Sequence, residues 1–342
     1  MSALSKIAKP VIVTPGDPSG IGPEITLKAA LSCKMPFVAI ADPKHMAKLS
    51  AELGLSLDIR IWLPGQKFDK KKSDKRCLFV MAHRWPAEVI AGHPNEANSL
   101  SILSAIEQAV NQVLIGNASA LVTNPINKYI LYKAGFTYPG HTEFLASLSR
   151  HRKHPVMMLA NDFLRVIPVT IHNPISEISE RLTPELVYKT AIVAKKDLTS
   201  LFGIKRPRIT ICGLNPHAGE QGTLGSEDIT IIKPVISRLL SEGINVTGPL
   251  PADSVFHKSA RSEYDCVIGM YHDQVLPVVK ALDFMNTVNI TLGLDFIRTS
   301  PDHGTAYDIA GKNIADSNSL VAAIEYAKKL SNTSLNRVTT GE

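Results

Sequence analysis

The sequence lacks the patterns that would place the chain in a membrane or outside the cell. No apolar run approaches the roughly 18 residues of a membrane span. The basic N-terminus, MSALSKIAKP, leads straight into a strand pattern without the apolar core of a signal peptide. The four cysteines form no Cys-x-x-Cys pair, and Cys212 and Cys266 fall within apolar runs. These features predict a reduced, cytoplasmic protein without a membrane segment.

Motifs that bind nucleic acids or nucleotides are missing as well. The net charge of +6 owes much to the stretch from Lys67 to Arg76, which has no interleaved aromatic residues and which we interpret as a solvated loop. There is no Walker A sequence. The loop GDPSGIGPE, Gly16 to Glu24, follows a strand pattern, but its glycines lack the spacing of a dinucleotide-binding fingerprint. Either its backbone N–H groups face an anion, or it is a tight connection that needs glycine geometry.

Strand and helix patterns alternate along the 342 residues, which predicts an α/β fold with room for two domains. The clearest helical pattern runs from about Glu96 to Ile115. The less regular region from Leu55 to Ile90 is interpreted as short antiparallel strands. A last helix is expected from Ser317 to Leu330, followed by a frayed tail.

Three histidines each follow the end of an apolar strand pattern. His172 comes after VIPVTI, His217 after ICGLNP, and His272 after CVIGMY. Ligands of open α/β sheets bind at the carboxyl ends of the strands, and three imidazoles that converge there suit a divalent metal. A single histidine in this position is more often a core or capping residue. Three of them make a metal site as good an interpretation as a structural one.

Several polar residues suit an anionic substrate. The string GHTEF contains His141 and Thr142 at a predicted helix start, where they fit a phosphate or, for Thr142, a helix cap. Lys280 and Arg298 are cations in apolar surroundings, so each needs an anionic partner, either a phosphate or an ordinary salt bridge.

Three further residues are candidates for proton transfer. Asp253 in GPLPAD and Asp273 in YHDQ lie near the third histidine in sequence, where a carboxylate can bind metal, orient a histidine or accept a proton. The alternative is that both are ordinary exposed loop residues. Lys128, in the string NPINK, is the third candidate.

Seven strings, taken together, resemble the 4-hydroxythreonine-4-phosphate dehydrogenase family of vitamin B6 biosynthesis. They span residues 13–311 in the family's order and read TPGDPSGIGPE, GHTEF, GLNPHAGE, GPLPAD, MYHDQ, VNITLGLDFIRTS and DHGTAYDIAGK. The string HGTAYDIAGKNIAD is also similar to one in isopropylmalate and isocitrate dehydrogenases. This likeness implies their two-domain α/β fold, with the active site in the interdomain cleft. We expect a discontinuous first domain, residues 1–125 and 285–342, that carries the cofactor loop, and a second, residues 126–284, that carries the histidines and the dimer contacts.

The resemblance also implies a role for particular residues. It implies a metal bound by His172, His217 and His272. It assigns the phosphorylated substrate to His141, Thr142, Lys280, Asn289 and Arg298. The loop formed by His303, Gly304, Thr305 and Ala306 would lie against NAD. Asp316 stands where the superfamily has an asparagine, and its carboxylate would favour NAD over NADP; alternatively it caps the last helix.

The activity implied by the resemblance is oxidation of 4-phosphooxy-L-threonine by NAD with a divalent metal. The product, 2-amino-3-oxo-4-phosphooxybutanoate, would lose carbon dioxide to give 3-amino-2-oxopropyl phosphate. Zinc is the first expectation for the metal, with cobalt or magnesium as alternatives. The family's site draws on both subunits, so a homodimer is expected. Two other functions remain open: a paralogue that oxidises another phosphorylated hydroxy acid, such as threonate or erythronate phosphate, and a zinc hydrolase.

Overall fold

The computed structural model describes residues 9–66, 76–150 and 154–340, with side chains to residue 334. The strands are β1 (Val11–Thr14), β2 (Phe37–Ala41), β3 (Asp58–Ile61), β4 (Cys77–Ala82), β5 (Ala120–Thr123), β6 (Val156–Ala160), β7 (Arg165–Thr170), β8 (Ile209–Cys212), β9 (Val246–Leu250), β10 (Cys266–Tyr271), β11 (Val288–Leu292) and β12 (Arg298–Ser300). The helices are α1 (Gly22–Ser32), α2 (Pro43–Glu52), α3 (Ser99–Leu114), α4 (Lys128–Lys133), α5 (His141–Leu148), α6 (Ile178–Arg181), α7 (Pro184–Ser200), α8 (Lys233–Ser241), α9 (Ala252–Val255), α10 (His272–Leu282) and α11 (Asn318–Thr340). Most of the Lys-rich stretch, residues 67–75, lies outside the described residues. Within the described parts, no helix combines the length and the apolar character that crossing a bilayer would require.

The described chain forms two compact units. The first comprises described residues of Met1–Arg152 and Leu294–Ser331, and the second those of Lys153–Gly293 and Asn332–Glu342. Both are mixed α/β, as the alternating pattern predicts.

The first unit contains six parallel strands in the order β3-β4-β2-β1-β5-β12. Its central strands are buried along their whole length, which is why they read as unbroken apolar runs. The amphipathic helix α3 packs Ile102, Ile106 and Val110 into the same core as Ile12 and Leu121.

Two sequence-based expectations about the first unit require correction. The strands between residues 55 and 90 are parallel, not antiparallel: β4 pairs in the same direction with both β2 and β3. The reason is visible in β4, whose run CLFVMA is almost continuously apolar, the pattern of a parallel strand covered on both faces. The tail is also not frayed from Ser331, because α11 continues to Thr340. Its last turns are polar and carry no apolar period, but no Gly or Pro stops the helix before Gly341.

The boundaries of the units follow from packing. Helices α4 and α5 belong to the first unit because Leu131, Phe144 and Leu145 join its core. Strand β11 belongs to the second unit because it pairs antiparallel with β6. The expected boundaries, after residue 125 and before residue 285, therefore differ from those of the compact units.

The second unit contains the strand order β11-β6-β7-β10-β8-β9. Strands β7, β10, β8 and β9 run parallel, while β6 is antiparallel to β7. Its core gathers Leu159, Val166, Val267 and Val279 between the sheet and helix α10. The three histidines after β7, β8 and β10 thus follow the same ends of three neighbouring strands.

Candidate active site

Two of the three predicted metal ligands lie together in the second unit. His172 follows β7, and His272 begins α10 directly after β10, the strand next to β7. The centroids of their rings are 6.1 Å apart. Two imidazoles on one ion, each with a metal–nitrogen bond of about 2.1 Å, place their centroids roughly 5 to 6 Å apart. The spacing of this pair is thus slightly wider than that of two ligands on one divalent ion.

The carboxylate of Asp273 orients one of these rings. Its Oδ1 lies 3.1 Å from Nδ1 of His272, although the Asp273 side chain is 73% exposed. A hydrogen bond at Nδ1 leaves Nε2 as the ligand atom, the arrangement that metal-binding histidines usually have. In the ranges 9–66, 76–150 and 154–340, no three His, Cys, Asp or Glu side chains are arranged to hold an ion. Among these residues, His172 and His272 are the two predicted ligands that lie close together.

His217, the third predicted ligand, lies in a left-handed turn after β8. Each residue from His217 to Gln221 has a positive φ, and four of these five are not glycine. This conformation costs about 1–2 kcal/mol for each residue with a Cβ atom. Such strain persists only where the surroundings impose it, and it concentrates at functional sites.

Side chains join the ends of the three strands that carry the histidines. The hydroxyl of Thr170, at the end of β7, donates to the carbonyl of Met270 in β10 at 2.7 Å. Gln274 accepts from the N–H of Met270 at 2.7 Å and donates to the carbonyl of Gly213, just beyond β8, at 2.8 Å. The backbone is therefore fixed just before each histidine or its loop begins.

The first unit contains a cluster of positive side chains. Arg298, in β12, is buried, and its Nε and Nη2 donate to the hydroxyl of Thr123 at 3.1 and 2.7 Å. Thr123 ends the neighbouring strand β5. Burial lowers the pKa of Arg298 to about 10, so the guanidinium remains charged at neutral pH. A buried cation in this position is suited to an anion.

His141 lies within the influence of this charge. Its burial, together with the positive charges of Arg298 and Lys128, holds the pKa of the imidazole well below its ordinary value. The ring is therefore neutral at neutral pH, and its buried Nε2 has no hydrogen-bond partner in the described protein. A neutral imidazole can donate one N–H to a bound oxyanion.

The structure excludes one alternative for GHTEF. Helix α5 begins at His141, its N-cap residue is Gly140, and no side chain caps it. Thr142 is thus inside the first turn rather than at the cap. With no side-chain cap, the first-turn N–H groups suit an anion.

Lys280 and Asn289, the other two predicted substrate residues, belong to the second unit. Lys280 is in the last turn of α10, with Nζ 5.7 Å from the ring centroid of Phe284. Asn289 is in β11, opposite Leu159, and its Oδ1 is buried without a hydrogen-bond partner in the described protein.

The loop GDPSGIGPE is a tight connection. Its amide groups are used internally: those of Ser19 and Gly20 donate to Asp17 at 2.9 and 3.1 Å. The amides of Asp17 and Ile21 donate to the carbonyls of Pro125 and Thr305, both at 2.9 Å. A Cβ atom on Gly20 would lie 2.7 Å from the Thr305 carbonyl oxygen. Of the two interpretations of this loop, the structure favours glycine geometry over anion binding.

The same loop holds the predicted cofactor segment. The phenol of Tyr307 donates to Oδ2 of Asp17 at 2.7 Å. The amide of Ala315 donates to the buried Glu24 at 3.0 Å, and Lys28 bridges Glu24 and the carbonyl of Ala315, both at 2.8 Å. Sequence reasoning did not find these contacts, because they join residues almost 300 positions apart.

Within the cofactor segment, Gly304 is exposed, with open space where a Cβ would lie, and Ala306 has a positive φ of 43°. The Nδ1 atom of His303 lies 3.0 Å from the carbonyl of Gly304. Asp316 is exposed and accepts from the amide of Asn318, the first residue of α11, at 2.7 Å. Its carboxylate therefore satisfies one N–H group at the start of that helix.

The remaining catalytic candidates are both exposed. Asp253 is in the short helix α9, and Lys128 is the first residue of α4. The structure places Lys128 with His141 and Arg298 in the first unit, and Asp253 in the second.

Known proteins share this fold and sequence. A 4-hydroxythreonine-4-phosphate dehydrogenase from Klebsiella pneumoniae superposes with a TM-score of 0.86 at 36% identity, covering 95% of this chain and 100% of that one. A terephthalate 1,2-cis-dihydrodiol dehydrogenase from Burkholderia xenovorans gives 0.65 at 29% identity, with coverages of 94% and 98%. In sequence, a 4-hydroxythreonine-4-phosphate dehydrogenase from Methylorubrum populi is 46% identical over 341 residues, 97% of each chain.

The fold, the placement of polar residues at strand ends and these likenesses define an α/β oxidoreductase of the dehydrogenase class. The profile of one family, the pyridoxal phosphate biosynthetic protein PdxA, matches residues 32–327. The chain belongs to this family. The resemblance drawn from the seven strings is thereby confirmed.

Proposed function

We propose that the enzyme oxidises 4-phosphooxy-L-threonine with NAD and a divalent metal. The product would be 2-amino-3-oxo-4-phosphooxybutanoate, which decarboxylates to 3-amino-2-oxopropyl phosphate. The observation that supports the proposal best is the buried Arg298 beside His141 and Lys128, a cluster of positive charge that would suit a phosphate ester. The names of the relatives, 4-hydroxythreonine-4-phosphate dehydrogenases, supply the substrate class.

In this proposal the phosphate is recognised mainly by charge. Arg298 is oriented by Thr123, so its planar fork is already fixed when the ester arrives. His141 donates Nε2–H to a phosphate oxygen, and the ester's negative charge favours the imidazole's protonated form. Thr142 contributes a hydroxyl from the first turn of α5. Lys280 and Asn289 are also proposed to contact substrate.

His172 and His272, with His217, would hold the divalent ion. Their chemistry fits zinc or cobalt better than magnesium, because neutral imidazole is a nitrogen ligand and magnesium prefers oxygen. A bound ion supplies Lewis acidity toward the alcohol, and NAD supplies the hydride acceptor. Within the described residues, only His172 and His272 of the three histidines lie with their rings close together. This supports the further proposal that the working enzyme is a homodimer.

The segment from His303 to Ala306 is proposed to hold NAD. Its backbone is already fixed to the GDPSGIGPE loop, which lowers the entropy that cofactor binding must offset. Asp316 is proposed to disfavour the extra phosphate of NADP by charge repulsion. Asp253, Asp273 and Lys128 are the candidates for moving the alcohol proton.

A second candidate function is oxidation of another hydroxy acid or diol by the same fold. The likeness to a terephthalate dihydrodiol dehydrogenase favours it, since that protein is named for a substrate without phosphate. The buried positive charge of Arg298 beside His141 and Lys128 favours the phosphorylated substrate instead, because a guanidinium matches the geometry of a phosphate. The names of the relatives favour a dehydrogenase over a zinc hydrolase.

The test is NADH formation by the purified enzyme with 4-phosphooxy-L-threonine, 4-hydroxythreonine and erythronate phosphate, each with NAD and with NADP. We expect turnover only with the first substrate and with NAD. Arg298→Lys should lower kcat/KM by about tenfold or more, because an ammonium does not replace a guanidinium fork. Arg208→Lys is the matched control, since Arg208 pairs with Asp265 on the surface of the second unit. Equal use of 4-hydroxythreonine would refute the proposal.

A further inference from the structure

A fully buried carboxylate underlies the loop that carries His217. Asp228 has no exposed surface, and it begins the helical segment that leads into α8. Its Oδ1 accepts from the amide of Leu214 at 2.9 Å. Its Oδ2 accepts from the amide and the side chain of Asn215, at 3.2 and 3.1 Å. All of these donors lie between β8 and His217.

The loop is shaped around this carboxylate. A Cβ atom on Gly213 would lie 2.5 Å from Oδ1, and one on Gly219 would lie 3.1 Å from Oδ2. A side chain at Gly213 would therefore displace the Asp228 carboxylate, and one at Gly219 would crowd it and would have to adopt a positive φ of 77°. Asn215 adds a second link to the same helix start by donating to Glu227 at 2.9 Å.

The left-handed turn needs such an anchor. Residues 217–221 have positive φ in succession, which side chains with a Cβ atom rarely adopt. Strained backbone of this kind relaxes unless fixed contacts hold both of its ends. The amides of Leu214 and Asn215 are the last fixed points before the turn, and both are held by Asp228.

We propose that Asp228 is the positioning residue for His217: its buried carboxylate holds the amides of Leu214 and Asn215, and through them the left-handed turn of residues 217–221, and so fixes the imidazole for metal binding. The inference rests on the proposed function, in which His217 is a metal ligand. Asp228 touches neither substrate nor metal in this account. It acts through the backbone of the loop.

The test compares Asp228→Asn with the wild type and with Asp197→Asn. Asp197 is a matched control because it is buried in the same unit and also accepts from a backbone amide, that of Gly293, at 2.7 Å. Asparagine keeps the size of the side chain but replaces one acceptor oxygen by a donor. The readouts are amide hydrogen exchange of the 213–222 peptide and the Kd and visible spectrum of bound Co²⁺.

We expect Asp228→Asn to accelerate exchange in the 213–222 peptide by about tenfold or more, since a hydrogen bond to a charged acceptor is lost. The Kd for Co²⁺ should rise by at least about tenfold, with a changed visible spectrum. Asp197→Asn should leave this peptide and the Co²⁺ spectrum as in the wild type. If Asp228→Asn does not fold, Asn215→Ala removes only the side-chain links and should give a smaller change in the same direction.

Three outcomes would overturn the inference, and two of them are distinguishable from failure of the proposed function. If the wild type binds Co²⁺, His217→Ala does not, and Asp228→Asn binds as the wild type does, the positioning role is wrong while the metal site stands. If exchange rises equally throughout the unit in Asp228→Asn and Asp197→Asn, Asp228 is only a stability residue. If neither wild type nor Asp228→Asn binds Co²⁺, the proposed metal function fails and the inference fails with it.

Discussion

Removing one hydroxyl from Tyr307 should destabilise the first unit in a pH-dependent way. The phenol donates to Oδ2 of Asp17 at 2.7 Å, and Asp17 is 3% exposed. The other oxygen of Asp17 accepts from the amide of Ser19, so Tyr307→Phe would leave a buried carboxylate with one fewer donor. A hydrogen bond to a charged group contributes about 1.5–3 kcal/mol. We expect Tyr307→Phe to lower the free energy of unfolding by about 1.5 kcal/mol, the lower end of this range. The reason is that Tyr307 is only half-buried, so water can reach part of the vacated space.

The sign of the pH dependence follows from Asp17. Burial raises the pKa of its carboxyl above the ordinary value of 3.8, and the hydrogen bond from Tyr307 partly reverses this. A carboxyl whose pKa is raised on folding favours the folded state at low pH, and that contribution is lost as pH rises through the folded pKa. Without Tyr307 the pKa of Asp17 rises further. The loss of unfolding free energy caused by Tyr307→Phe should therefore be small near pH 4 and reach its full size near pH 7.

The assay is urea unfolding followed by tryptophan fluorescence. Both tryptophans, Trp62 and Trp85, belong to the first unit, so the signal reports that unit. Tyr138→Phe is the matched control, because Tyr138 is also half-buried and packs through its ring against Phe136. The reasoning is refuted if the unfolding free energies of Tyr307→Phe and Tyr138→Phe differ by less than about 0.5 kcal/mol near pH 7. It is also refuted if Tyr307→Phe loses as much unfolding free energy near pH 4 as near pH 7.

Two further substitutions test contacts of the first unit. Thr123→Val removes the hydroxyl that accepts from two donors of Arg298. We expect KM for the phosphorylated substrate to rise about tenfold and the free energy of unfolding to fall by about 1–3 kcal/mol. An unchanged KM would show that Thr123 does not orient the guanidinium. Lys28→Met leaves Glu24, which is 1% exposed, without its cation, and should cost about 3 kcal/mol by urea unfolding. The double variant with Glu24→Gln should recover part of that loss, and failure to recover it would mean that the ion pair is not the cause.

The sequence predicts most of the α/β architecture because its central strands are covered on both faces. Continuous apolar runs such as Val11–Thr14 and Ala120–Thr123 leave little choice of structure, and helix α3 has an unambiguous apolar period. The placement of His172 and His272 could also be foreseen, since it needs only the rule that ligands lie beyond the carboxyl ends of strands. That β7 and β10 are neighbours could not, because strand order depends on packing between segments about 100 residues apart.

What the sequence could not predict are contacts made by side chains far apart in the chain. The glycines of GDPSGIGPE have the same spacing whether the loop binds an anion or folds against Thr305 and Pro125. Only the tertiary structure shows which partner the amides have. Asp228 gives no signal in the sequence for the same reason. It reads as an ordinary acidic residue at a helix start, although its carboxylate is enclosed by the loop before it.

The internal use of backbone amides in the first unit has a consequence for recognition. In a phosphate-binding loop, free N–H groups at a helix start would hold the anion. Here the amides of Asp17, Ser19, Gly20 and Ile21 are already bonded within the protein. These four amides are therefore not available to an anion, and the side chains of Arg298 and His141 and the uncapped start of α5 are the candidates that the proposed function uses instead. In the proposed function, recognition by the side chain of Arg298 should make affinity for a phosphate ester sensitive to single substitutions, whereas a cradle of backbone amides would tolerate them.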